Sequence, residues 1–161
     1  MQSFEITQKV LAIGPTYQVR APASNDVLMT VRGKVLTATP KLMMVRGAEG
    51  STVAQMNGNF FKTRFQIFGS DQKEIGSLEF PLIQLKKSFT LKVGAAEYKA
   101  DGGLLGRGFK VTDAQGETVL EIQKQLALKD KFSVLANDQI PPEVALLAAV
   151  AVDQKFFGNE S

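Results

Sequence analysis

Basic residues concentrated in one part of the chain are the strongest chemical feature of this sequence. Residues 27–70 contain six Lys and Arg against one acid, a net charge of +5, while the rest of the chain carries −2. Arg32 and Lys34 lie two residues apart, and so do Lys62 and Arg64. Residues two apart share one face of a β-strand, and Lys62 and Arg64 are out of phase with the apolar residues that follow them. We therefore expect both pairs to point outward.

Such cations could bind phosphate. Arginine makes bidentate contacts with phosphate oxygens, and each Lys or Arg near an anionic membrane contributes about 1 kcal/mol of attraction. The four residues are therefore candidates for binding an anionic headgroup or an acidic partner. The alternative is that they only solubilise the protein and protect strand edges.

Catalytic and metal chemistry has few candidate residues. The 161 residues include no His and no Cys, which excludes a Ser-His-Asp triad, a His- or Cys-ligated metal and a disulfide. Carboxylates such as Glu117 and Glu121 are expected on outward, solvated strand positions. Near the C-terminal apolar segment the acids Asp138, Asp153 and Glu160 are isolated from one another, whereas an EF-hand-like calcium site needs several acids at alternating positions. We therefore expect no catalysis, no cofactor and no metal.

Two further features bear on nucleotides and nucleic acids. Residues 102–108 are rich in glycine but lack the Gly-Lys-Ser/Thr of a Walker loop. They predict a turn between strands, and phosphate contact through backbone N–H groups is the alternative. The net charge of +3 is too small to indicate DNA binding, so no nucleic-acid partner is expected.

Alternating apolar and polar residues must form the elements that position these side chains. The alternating pairs are Phe4 and Ile6, Phe65 and Ile67, Phe89 and Leu91, Phe109 and Val111, and Leu120 and Ile122. Turn signals separate them at spacings near ten residues, which is typical of an antiparallel sandwich or barrel. The length predicts one domain over residues 1–161.

Residues 141–157 break the alternation and predict a helix. Two prolines suit its first turn, and residues 144–152 are all apolar. Nine residues span only about 14 Å, against about 30 Å for a bilayer core, so burial inside the protein is favoured. The start of the chain has no signal peptide pattern, and we expect a cytoplasmic protein that is peripheral to the membrane if it binds lipid.

A weak internal repeat relates residues 45–53 to residues 111–119, with identities that include Ala48 and Ala114, and Gly50 and Gly116. Two similar hairpins would explain it. A duplicated β unit forming two halves of one barrel would explain it equally well.

Four segments give the chain a resemblance to a known family. They are Val31-Arg32-Gly33-Lys34, then Asp113-Ala114-Gln115-Gly116 with Val119, Ile122 and Lys124, then Asp130-Lys131-Phe132, and finally VALLAAVAVD ending at Asp153. In this order they resemble the LURP-one-related family, within the superfamily of tubby C-terminal domains and phospholipid scramblases. The resemblance implies a mainly β fold, a twelve-stranded antiparallel barrel enclosing a hydrophobic C-terminal helix over residues 141–157.

The resemblance also implies a function. Tubby domains hold phosphoinositides through basic residues on the barrel, so a non-catalytic module that binds anionic phospholipid headgroups is expected. The candidates Arg32, Lys34, Lys62 and Arg64 come from the charge pattern of this chain and not from a match to the tubby residues that hold the lipid. A regulatory protein or scaffold that binds another protein is the first alternative. A scramblase-like, membrane-active protein is the second, although the chain lacks the cysteines and the Pro-rich segment of scramblases. The oligomeric state is left open.

Overall fold

Twelve strands and one helix make up the fold in a computed structural model that describes residues 1–11, 14–34, 38–83, 86–102, 108–125 and 130–157. The strands are β1 (Gln2–Leu11), β2 (Gly14–Arg20), β3 (Met29–Gly33), β4 (Lys41–Arg46), β5 (Thr52–Gly58), β6 (Arg64–Gly69), β7 (Glu74–Glu79), β8 (Ser88–Val93), β9 (Ala96–Gly102), β10 (Gly108–Thr112), β11 (Thr118–Lys124) and β12 (Lys131–Ala136). The helix α1 (Pro142–Val152) follows β12.

The strands close into a barrel. Each strand pairs antiparallel with its neighbours in the sequence, and β1 pairs with β12 to complete the ring. The closing register places Phe4 opposite Val134 and Ile6 opposite Phe132. Closure leaves no free sheet edge, and it confirms the expected twelve-stranded antiparallel barrel.

Alternation along the strands fills the barrel with apolar side chains. Phe65 and Ile67 of β6 are buried, while Arg64, the first residue of the same strand, is exposed. At one end of the barrel, aromatic rings contact each other edge to face, with the Phe65 and Phe80 centroids 5.8 Å apart. Phe80 in turn lies 5.5 Å from Phe156, which follows the helix. The phenylalanine-rich composition therefore corresponds to an aromatic cluster at the C-terminal end of α1.

The helix packs inside this apolar core. Pro141 precedes it and Pro142 occupies its first turn with Glu143, where a missing N–H costs nothing and a carboxylate faces the positive end of the helix dipole. All nine residues of the apolar run 144–152 are buried. A Cβ added at Gly76 of β7 would lie 3.3 Å from Val144, so the absence of a side chain there gives the helix room.

The C-terminal end of the predicted helix differs from the expectation. The α-helix ends at Val152, and Asp153–Phe157 form one turn of π-helix, a wider turn that is often found at functional sites. Gly158, the expected terminal residue, lies outside the described residues. Within the described part of the chain, no helix is long and apolar enough to cross a membrane.

The repeated segments occupy strands six positions apart in the barrel. The first repeat joins β4 to β5 and the second joins β10 to β11, and each hairpin has a register shift just before its turn. In the second turn the Asp113 carboxylate accepts hydrogen bonds from the backbone N–H groups of Gln115 at 3.0 Å and Glu117 at 2.9 Å. The two hairpins are thus equivalent in their place within each half of the barrel.

Candidate functional site

The two ends of the barrel carry opposite charge. Because the strands alternate in direction, loops that join an odd strand to the following even strand all lie at one end, and the π turn lies there too. We call this the basic end: its described loop and π-turn residues include the cations Lys34, Lys62, Lys86, Lys87 and Lys155, with Asp130 as the exposed acid. The other loops form the acidic end, whose described charged residues are Asp26, Glu49, Asp71, Lys73, Asp113, Glu117 and Asp138.

The pair of Arg32 and Lys34 divides between these regions, because β3 ends at Gly33 and Lys34 lies just beyond the strand. The Arg32 side chain is exposed, but its guanidinium donates a hydrogen bond of 2.7 Å to the Ala48 carbonyl, in a loop of the acidic end. Lys34 lies at the basic end, where its backbone N–H donates to the Lys41 carbonyl at 2.9 Å. Lys41 is exposed as well, so Lys34 has a cationic neighbour on the next strand.

The prediction that Lys62 lies on a strand face beside Arg64 is wrong, because β6 begins at Arg64. Lys62 lies in the preceding turn in a left-handed conformation, with φ of 54°. The Asn59 side chain caps this turn by accepting hydrogen bonds from the backbone N–H groups of Thr63 at 2.8 Å and Arg64 at 3.1 Å. The capped turn bends Lys62 over the barrel end, and its Nζ donates to the Gln154 carbonyl at 3.2 Å.

The four candidate residues therefore do not form one compact patch. The strands β3 and β6 are separated by β4 and β5, a distance of about 14 Å at roughly 4.8 Å per strand step. Lys34, Lys62 and Arg64 share the basic end, whereas the guanidinium of Arg32 is directed away from it. Arg64 is exposed and lies opposite Glu79 in the register with β7.

Two lysines meet where the helix ends. The Lys155 Nζ donates to the Phe61 carbonyl at 3.4 Å, next to Lys62 in the same turn. Burial lowers the pKa of Lys155, and repulsion from the Lys62 ammonium lowers that pKa further. Among the ion pairs of the described residues, neither lysine is paired with a carboxylate. The two ammonium groups thus create a local excess of positive charge at the surface.

The loop between β7 and β8 adds two more lysines. The Lys87 Nζ lies 4.9 Å from the Phe157 ring centroid and 5.5 Å from that of Phe156, within the range of cation–π attraction. Lys86 lies 3.9 Å from Asp101, and both side chains are about 70% exposed, so this ion pair contributes little. The sequence prediction missed Lys86, Lys87 and Lys155.

Beneath this surface, a buried polar cluster holds the end of the helix to the barrel wall. The Tyr17 hydroxyl donates a hydrogen bond of 2.7 Å to Asp153 Oδ2, and Lys124 Nζ lies 4.0 Å from Asp153 Oδ1. Burial raises the pKa of Tyr17 well above its ordinary value, and the negative charge of Asp153 raises it further. Lys124 also lies 4.3 Å from the Phe157 ring centroid. Lys124 and Asp153, which belong to two separate motifs and lie 29 positions apart, thus form a structural ion pair.

Other candidate chemistry has less support in the described structure. No group of three His, Cys, Asp or Glu side chains among the described residues could hold a metal ion. Of the Gly-rich segment 102–108, residues 103–107 lie outside the described residues. An outer groove of about 570 Å³ beside the basic end is lined by side chains of both charges, including Glu79, Lys99 and Asp101.

Comparison with known proteins supports the fold and identifies the family. A solved X-ray structure of an Arabidopsis thaliana protein matches with a TM-score of 0.61 and 14% sequence identity, covering 94% of this chain and 88% of that one. Comparison with curated protein sequences finds no match. The model of the LURP-one-related family matches residues 2–153. This match spans nearly the whole chain, which therefore belongs to the LURP-one-related family.

Proposed function

We propose that this protein is a non-catalytic module that binds the anionic phospholipid headgroups of a membrane surface through the basic end of its barrel. The supporting observation is the separation of charge between the two ends. The described loops and π turn of the basic end carry five lysines and one exposed acid, whereas the loops of the acidic end carry six acids and one lysine. This asymmetry orients the barrel towards a negatively charged surface.

The number of cations fits reversible attachment. At about 1 kcal/mol for each lysine near an anionic membrane, five lysines give about 5 kcal/mol. That corresponds to a dissociation constant of roughly 0.2 mM, which is weak enough for the protein to leave the membrane. Most of this attraction is sensitive to salt, since the screening length falls from about 10 Å at 0.1 M to about 3 Å at 1 M.

The arrangement of Lys62 and Lys155 supports phosphate as the ligand chemistry. Both ammonium groups donate to backbone carbonyls. Burial lowers the pKa of Lys155, and repulsion from the Lys62 ammonium adds to this shift. A phosphate between them would relieve this repulsion and accept hydrogen bonds from both. Arg64, exposed at the start of β6, could add a bidentate contact, since guanidinium fits phosphate oxygens.

A binding role without catalysis agrees with a chain that has neither His nor Cys, and with a barrel interior in which apolar side chains pack around the helix. The family and the closed barrel fold are consistent with a binding module. Insertion of α1 into a bilayer, the scramblase-like alternative, would require the apolar run 144–152 to leave the barrel core in which it is buried. Protease protection of the helix in vesicles would support that alternative.

Vesicle flotation tests the proposed function. The protein is mixed with vesicles of phosphatidylcholine alone, or of phosphatidylcholine with 30% phosphatidylserine by composition, roughly the anionic content that produces a substantial surface potential. We expect flotation with the anionic vesicles only, and its loss when salt is raised from about 0.1 M to about 1 M. Absence of binding to anionic vesicles at low salt would contradict the proposal and favour a protein partner.

A further inference from the structure

The most exposed apolar side chains of the described structure lie on two loops of the basic end. Phe60 and Phe61, between β5 and β6, are 67% and 68% exposed, and Leu82 and Ile83, between β7 and β8, are 73% and 86% exposed. Single exposed apolar residues are ordinary, but a contiguous group indicates an interaction site. We call these four residues the apolar tips.

The two loops lie side by side. The backbone N–H of Phe80, which starts the second loop, donates a hydrogen bond of 2.7 Å to the carbonyl of Thr63, which ends the first. The Phe80 ring is itself buried against Phe65 and Phe156. The second loop is therefore anchored at its base while Leu82 and Ile83 extend into solvent.

The first loop holds its aromatic residues outward in a defined turn. The Asn59 side-chain NH₂ donates a hydrogen bond of 2.7 Å to the Thr63 hydroxyl. Its oxygen accepts the two backbone hydrogen bonds described above. The Phe60 and Phe61 rings contact each other edge to face, with centroids 5.2 Å apart. Because the turn is fixed on both sides, the rings are presented to solvent as a preformed pair and do not fold back onto the barrel.

Lysines surround the apolar tips. Lys62 follows Phe61 directly, the Lys155 ammonium donates to the Phe61 carbonyl, and Lys86 and Lys87 belong to the second loop. The core of a protein–protein interface is depleted in lysine. At a membrane surface, by contrast, lysine can rest its apolar stem among the acyl chains and keep its ammonium at the phosphates. The combination therefore fits an anionic bilayer better than a protein partner.

We propose that the four apolar tips insert into the boundary between headgroups and acyl chains of an anionic bilayer, so that the barrel stands on its basic end. The inference rests on the proposed binding of anionic lipid and adds the depth and orientation of the bound protein. The axis of α1 then runs along the membrane normal, apart from any tilt of the barrel. The C-terminal end of the helix faces the lipid. The acidic end faces away from the membrane, which its charge favours.

The chain has no tryptophan, so a single introduced tryptophan reports insertion directly. We compare Phe61→Trp, on an apolar tip, with Leu28→Trp, which replaces a residue that is 40% exposed in a loop of the acidic end. Both are titrated with phosphatidylcholine–phosphatidylserine vesicles that contain lipids brominated in the acyl chain. We expect a blue shift and strong quenching for Phe61→Trp, and an unchanged spectrum for Leu28→Trp.

Partitioning measures how much the tips contribute. The variants Phe60→Ser/Phe61→Ser and Leu82→Ser/Ile83→Ser remove two tips each, and Leu28→Ser/Met43→Ser is the matched control on other exposed apolar residues. We expect each tip variant to lose about tenfold or more in its partition coefficient, since buried apolar side chains dominate interfacial binding. The control should bind like the wild type, and all three should keep the wild-type melting temperature.

The outcomes separate the two proposals. If the wild type binds anionic vesicles but Phe61→Trp is not quenched and the tip variants bind equally well, headgroup binding stands and insertion is wrong. If the wild type does not bind anionic vesicles at all, both proposals are wrong. If it forms dimers that the tip variants abolish, again without quenching, the tips are an interface between copies of this chain, and insertion is overturned.

Discussion

Removing one partner of the buried ion pair between Lys124 and Asp153 should strongly destabilise the fold. Both side chains are almost fully buried, with exposures of 3% and 1%, and Nζ lies 4.0 Å from Oδ1. In Lys124→Met the Asp153 carboxylate stays buried without its cationic partner. In Asp153→Asn the Lys124 ammonium stays buried without its anionic partner. Breaking such a pair costs about 3–5 kcal/mol. For a domain of this size, that lowers the melting temperature by about 6–20 °C.

The double variant Lys124→Met/Asp153→Asn removes both charges and should recover most of the loss. Its Asn oxygen can still accept the hydrogen bond that the Tyr17 hydroxyl donates to Asp153. Replacing both members of a buried pair by neutral groups is often nearly neutral, so the double-mutant cycle should give a coupling energy of about 2 kcal/mol or more. Urea denaturation at pH 7 measures all four proteins. If the single variants each lose under about 1 kcal/mol and their effects add, the pair does not hold the end of the helix as argued.

The remaining predictions concern the buried helix and the buried tyrosine. Ala148→Asp should abolish the fold, because an unpaired buried charge costs several kcal/mol against a total stability of about 5–15 kcal/mol; Ala114→Asp in an exposed turn is the control, and a wild-type melting temperature for Ala148→Asp would show that the helix is not central. Because the pKa of Tyr17 is raised in the folded state, its contribution to stability is complete below pH 10 and decreases as the pH rises above that value. The melting temperature of the wild type should therefore fall more steeply between pH 9.5 and 11.5 than that of Tyr17→Phe, and equal slopes would refute the tyrosine's role.

Much of the core could be predicted from local patterns. Phe4 and Ile6, like Phe65 and Ile67, alternate with polar residues and are buried, because the two faces of a strand meet different environments. The apolar run 144–152 identified the buried helix on the same grounds. The number of strands came from the resemblance to the LURP-one-related family, since alternation alone is common to sandwiches and barrels.

The candidate site was predicted only in part, because it depends on which strand ends lie at the same end of the barrel. Lys34 and Lys62 are 28 residues apart, and Lys62 and Lys87 are 25 apart. They share the basic end because each follows an odd-numbered strand. That signal becomes visible only when the order of the hairpins is known. The displacement of Lys62 from the strand depends on the Asn59 cap and a left-handed residue, and neither leaves a mark on the alternation of the sequence.

The pairing of Lys124 with Asp153 has a similar cause. Each residue closes a separate motif in the sequence, and no periodicity relates positions 29 apart. They meet because β11 ends at the same end of the barrel as the helix. The switch from α-helix to π-helix at Asp153 was equally invisible in the sequence, which predicted one continuous helix over residues 141–157.

Binding of anionic membranes by one end of the barrel is tested most directly by two variants that lose the same charge at opposite ends. Lys62→Gln/Arg64→Gln acts at the basic end, and Arg46→Gln/Lys73→Gln removes two exposed cations next to the acidic end. In flotation with phosphatidylserine vesicles at low salt, the first variant should bind about 30-fold more weakly, from about 1 kcal/mol for each charge. The second should bind like the wild type. Equal losses for both variants would show that net charge alone drives binding, and would contradict recognition through the basic end.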